Sequence, residues 1–89
     1  MSSRVERIRQ LVQDRLRPEQ LEIRDDSLAH VGHASAGSKG HFHLRLVCSQ
    51  FSGLSPLQRH RLVYEALAPM FDTEIHALSL AVIAPEELV

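Results

Sequence analysis

At 89 residues, with 44% hydrophobic and 24% charged side chains, the chain has enough apolar surface for one core and is too short for two, so a single domain over 1–89 is expected. A formal net charge of −1 gives no general attraction to phosphate backbones, and a single cysteine, Cys48, rules out both an intramolecular disulfide and a metal site built from this chain's thiolates alone. MSSRVERIRQ carries no apolar signal region and no apolar run nears the roughly 18 residues that span a bilayer, so a cytoplasmic protein without membrane contact is expected.

In SSRVERIRQLVQDRLRPEQ, Val5, Ile8, Val12 and Leu16 recur every three or four residues, with Ser2 or Ser3 as a cap and Pro18 as a stop. This spacing predicts an amphipathic helix. LEIRD sets Leu21 and Ile23 against Glu22 and Arg24, the alternation of a half-buried strand that ends near Asp25 and Asp26. The stretch HVGHASAGSKGHFH, residues 30–43, then holds four of the six histidines and three of the four glycines. Its first part reads as a long loop between two strands, and long loops tend to be functional.

HFHLRLVCS restores alternation, with Phe42, Leu44, Leu46 and Cys48 on one side and His41, His43, Arg45 and Val47 on the other. In SPLQ, Ser55 as cap, Pro56 in the first turn and Gln58 three residues after the cap form a capping box that starts a second helix. Val63, Ala66, Leu67 and Met70 make its inner face, Leu62 lies beside them, and Pro69 is expected to kink or end it. EIHALSLAVIA suits a last strand, which Pro85 should end. The order is helix, strand, strand, helix, strand. It predicts an α+β fold: a three-stranded mixed sheet with both helices on one face, the first strand pair antiparallel and the helical crossover making the last pair parallel.

Four motifs bear on identity: DDSLAH, the HF that opens the second strand, FSGLSPLQRHRLVYEAL across the second helix, and IHALSL on the last strand. Through them the chain resembles the BolA-like family along nearly its whole length. The resemblance implies a KH-like fold, partnership with a monothiol glutaredoxin, and a [2Fe-2S] cluster shared with that glutaredoxin and glutathione, in iron-sulfur trafficking or iron sensing. It also implies DNA binding and transcription regulation in some members. The chain departs from the family in having His33 as well as His30 in the loop, and its tail PEELV lacks the tryptophan common there.

By the residues alone, a histidine near a strand start such as His76 is usually a hydrogen-bonded structural group, and His30 and His33 are a solvated loop. The resemblance makes His76 a metal ligand, with His30 or His33 as its loop partner and His30 in the motif position. Two imidazoles form half a ligand set, and histidines replace two cysteines on one iron of Rieske-type [2Fe-2S] centres, leaving the other positions for thiolates. His41 is read as orienting its neighbours or capping the loop, and His43 as an exposed strand residue. Strand parity turns Cys48 into the core.

The alternative, a DNA-binding transcriptional regulator, rests on RHR, Arg59 to Arg61 with His60 between them, early in the second helix where the dipole disfavours cations. GSKG, residues 37–40, matches the GXXG pattern of KH domains but precedes a strand rather than joining helices. No nucleophile elbow or paired carboxylates are present, and the expectation is a non-enzymatic adaptor.

Overall fold

The computed structural model describes residues 3–27 and 40–88. Helix α1 runs Arg4–Leu16, strand β1 Gln20–Asp25, strand β2 Gly40–Val47, helix α2 Pro56–Phe71 and strand β3 Ile75–Ile83. Short 3-10 turns at Ser49–Phe51 and Pro85–Leu88 follow β2 and β3. The sheet order is β1-β2-β3, with β1 antiparallel and β3 parallel to β2. The expected element order and mixed sheet are both observed.

The helix ends follow from capping chemistry. Ser3 Oγ accepts the Glu6 amide at 3.1 Å, and at the other end Arg17 takes a left-handed conformation (φ 48°) ahead of Pro18. The Leu16 carbonyl, orphaned by the end of α1, accepts from Gln50 Nε2 at 2.9 Å and the Cys48 thiol at 3.2 Å. The capping box of α2 is complete: Ser55 Oγ accepts the Gln58 amide and Gln58 Oε1 accepts the Ser55 amide. Of the two effects expected of Pro69, ending the helix is not observed, because α2 continues past it to Phe71. So close to the helix end, proline removes a single amide hydrogen bond and its fixed φ suits the helix, so packing of Met70 in the core carries the last turn.

Ile8, Val12 and Leu16 of α1 and Val63, Ala66, Leu67 and Met70 of α2 pack on Phe42, Leu44, Leu46 and Cys48 of the sheet. Phe51, Ile75 and Ala84 close the core. The alternation predicted for β2 therefore sets its register, with Phe42, Leu44 and Leu46 all turned to the helices.

Gly40 is buried at the start of β2, where Phe42 and Ser27 occupy the space a side chain would need. A β-carbon there would lie 2.6 Å from Phe42 Cε2 and 2.7 Å from Ser27 Oγ. Gly40→Ala is therefore expected to lower stability by about 1–3 kcal/mol through overpacking. Urea denaturation checks this, and a midpoint equal to that of the parent chain would show that Phe42 and Ser27 yield freely.

Candidate functional site

The site is built where β1 ends, β2 begins and β3 begins. Asp25 Oδ1 accepts the Ser27 amide at 2.9 Å, Ser27 Oγ accepts the His41 amide at 3.1 Å, and the Asp26 amide donates to the His41 carbonyl at 2.7 Å. These bonds tie the two flanks of the 28–39 segment together, because Ser27 and His41 are fourteen residues apart in sequence. Asp26 is itself held by Arg24, whose guanidinium donates to both carboxylate oxygens at 2.8 and 3.2 Å and has its pKa raised by that hydrogen bond. The first half of the DDSLAH motif is thus an anchor for the backbone of His41.

On the facing strand, Gly40 pairs with Ile75 but His41 pairs with Ala77. One residue, His76, is extra, and β3 carries a bulge there. Strict alternation puts His76 on the side of Leu78 and Leu80, half exposed at the sheet edge because it starts the strand; the bulge takes it off that side. Ile75 is buried, Leu78 packs against the core, and His76 and Ala77 between them are both exposed.

The bulge brings His76 beside His41, with ring centroids 5.1 Å apart and planes inclined at 53°. Sequence reading singled out both residues but did not join them, since the pairing depends on β2 and β3 being parallel neighbours in one particular register. A cavity of about 260 Å³ lies alongside, lined by Asp26, His41, Phe42, Ala77, Leu78 and Ser79. His43, two residues along β2, is engaged with Ser79 Oγ through Nδ1 at 2.7 Å. His30 and His33 lie outside the described residues. Among the described residues, no group of three or more His, Cys, Asp or Glu side chains could hold a metal ion. An exposed imidazole on a fixed strand suits one position on a histidine-ligated iron, and a metal group bound there needs further ligands from elsewhere.

Cys48 is fully buried, and burial pushes its thiol pKa up. It is a core side chain whose S–H caps α1. Arg59 also turns inward. It is 9% exposed, and its guanidinium donates to the carbonyls of Leu54 at 3.0 Å and Val82 at 3.1 Å. It also grips both carboxylate oxygens of Glu87 at 2.7 and 2.9 Å. The cation that α2 carries against its own dipole is thus explained by a carboxylate 28 residues away. His60 is half-buried and Arg61 is exposed.

A BolA-like protein family model matches residues 12–87. The chain is 42% identical over 94 residues to "SufE-like protein 1, chloroplastic/mitochondrial" of Arabidopsis thaliana, covering 99% of this chain and 25% of that one. It is 44% identical to "BolA-like protein 1" of Mus musculus, covering 90% of this chain and 57% of the mouse protein. It is also 35% identical to the "DNA-binding transcriptional regulator BolA" of Haemophilus influenzae, covering 90% of this chain and 76% of that protein. The solved structure of BolA1 from Arabidopsis thaliana superposes with a TM-score of 0.85 at 36% identity, covering 98% of this chain and 97% of that one. The chain thus spans a quarter of the first of these relatives and just over half of the second. No described helix is long and apolar enough to cross a membrane.

The Arg59 clamp makes stability pH-dependent in a defined window. The Arg59 hydrogen bonds, with help from the Ala84 amide, lower the Glu87 pKa from 4.5 to about 2. Because the folded value lies below the unfolded one, the stabilisation is complete above pH 4.5 and is lost as the pH falls to about 2. Glu87→Gln should therefore be less stable than the parent at neutral pH, with the gap narrowing through that window. Denaturation midpoints measured at successive pH values test this, and two parallel curves would mean that Glu87 does not titrate with folding.

Proposed function

The chain belongs to the BolA-like family, and from that premise we propose that it is a non-enzymatic adaptor that docks a monothiol glutaredoxin and shares a [2Fe-2S] cluster with it. In this reading His76 and one loop imidazole, from His30 or His33, ligate one iron, and the glutaredoxin cysteine and glutathione supply the thiolates. The cluster supplies iron and sulfide for transfer or sensing. The chain's own residues present and orient the imidazoles, and the anchored backbone from Asp25 to Ser27 and at His41 fixes both ends of the 28–39 segment. His30 is three residues beyond Ser27, a chain reach of at most about 11 Å, while His33 is six residues beyond, about 22 Å. The tighter tether costs less entropy to order and favours His30.

The observation that carries the reading is the exposed His76 on the β3 bulge, at the sheet end where β2 begins after the histidine-rich 28–39 segment. The name of the plant relative, SufE-like protein 1, adds a link to iron-sulfur machinery in that protein. Glutaredoxin and glutathione thiolates need a reducing compartment, which the cytosol supplies. A DNA-binding role through α2 is the second reading, supported by the name of the Haemophilus influenzae relative and the exposed Arg61. It is weaker because the Arg59 charge is spent inside the chain on Glu87 and the net charge is −1.

Mixing the protein with a cluster-loaded monothiol glutaredoxin should give a one-to-one complex with an altered visible absorption and circular dichroism spectrum. His76→Ala should abolish that spectrum, His30→Ala should weaken it severely, and His33→Ala should matter less. Cys48→Ser should leave it intact with some loss of stability. An unaffected His76→Ala variant would remove the basis for the site, and salt-sensitive DNA retention without a cluster change would favour the regulator.

A further inference from the structure

The geometry points to a second use of this end of the sheet: His41 and His76 form a two-imidazole chelate for a single divalent transition-metal ion of the zinc class. The site lies within this chain. It shares His76 with the adaptor reading but does not depend on it.

Separation carries the first part of the argument. A zinc ion about 2.0–2.1 Å from an imidazole nitrogen lies about 3.2 Å from the ring centroid, and two rings at the tetrahedral angle then stand about 5.2 Å apart. The His41 and His76 centroids are 5.1 Å apart. Orientation carries the second. The nitrogen lone pairs lie in the ring plane, so two stacked parallel rings cannot aim at one point. Rings inclined at 53° have intersecting planes, which removes that obstacle to a shared ion.

Both side chains sit on strands whose backbones are fixed. His41 is held through its amide by Ser27 Oγ and through its carbonyl by the Asp26 amide. His76 is fixed by the bulge against the Gly40–His41 register step. The fold therefore meets the backbone part of the ordering cost of bringing the rings together. A ligating imidazole commonly gives its other nitrogen to a hydrogen-bond partner, so such bonds are compatible with this role. Imidazole suits zinc, copper and nickel, and with two protein ligands the remaining positions are filled by water or by a donor from a bound molecule.

Zinc chloride titrated calorimetrically into the full chain, without glutaredoxin or cluster, tests the proposal, with cobalt(II) as an optical probe of tetrahedral geometry. One equivalent should bind and raise the thermal midpoint. His41→Phe and His76→Phe keep a ring of similar size but no nitrogen donor, and each should weaken binding by about tenfold or more with the metal-free midpoint unchanged. Undiminished binding in His41→Phe, or loss confined to His30→Ala and His33→Ala, would overturn the chelate. A failed zinc titration leaves the adaptor reading intact, because that reading is tested on the glutaredoxin complex.

Discussion

Ile75 and Leu78 both turn towards the helices although they are three residues apart, which a strand of unbroken alternation cannot do. The bulge at His76 reconciles them. It lets β3 place a large aliphatic group, Ile75, in the core while keeping Leu78, Leu80 and Val82 in step with Phe42, Leu44 and Leu46. The extra residue has nowhere to go but outward. A histidine on the surface beside β2 is therefore a consequence of how the core is filled, and replacing the bulge by a regular strand would send either Ile75 or Leu78 into solvent.

The same corner explains why the adjacent sequence is so polar. The side chains of Asp25 and Ser27 and the amide of Asp26 spend their hydrogen bonds on the local backbone, where β1 ends and β2 must start in antiparallel register. Gly40 completes the junction because Phe42 and Ser27 leave no room for a β-carbon. The DDS part of the motif is thus a structural device. Only the histidine at its end remains to be explained by function, which is what the proposal assigns to it.

Local rules were legible where local physics decides. Two-residue alternation set the face of Phe42, Leu44, Leu46 and Cys48, and the Ser55–Gln58 capping box marked the start of α2 to the residue. They failed where a distant partner decides. Parity puts His76 on the side of Leu78 and Leu80, half exposed at the sheet edge, because a bulge is a compromise between two packing demands rather than a property of IHALSL. Yet the pattern held a trace of it, since apolar Ile75 and Leu78 flank His76 and Ala77. Arg59 likewise stood out as a cation at the wrong end of a helix, but its partner Glu87 is separated from it by all of β3. His30 was legible as a candidate by the family motif and His33 as its neighbour in a histidine-rich stretch, and both lie outside the described residues.

Donor chemistry links these points to function. The chain has one thiol, and that thiol is buried, protonated more firmly by its burial, and occupied in capping α1. Imidazole nitrogen, a borderline donor, is what this surface presents at the His41–His76 corner. A [2Fe-2S] group needs sulfur from cysteine on at least one iron, so any such group held here is necessarily shared with a thiolate-bearing molecule. A zinc-class ion has no such need, because nitrogen and water satisfy it. The two uses therefore differ in whether a partner is required, although both draw on His76. Because one imidazole cannot serve both at full strength, an ion seated between His41 and His76 would compete with cluster sharing, and a thiolate-bearing partner would displace the ion only by bringing the sulfur ligands this chain lacks.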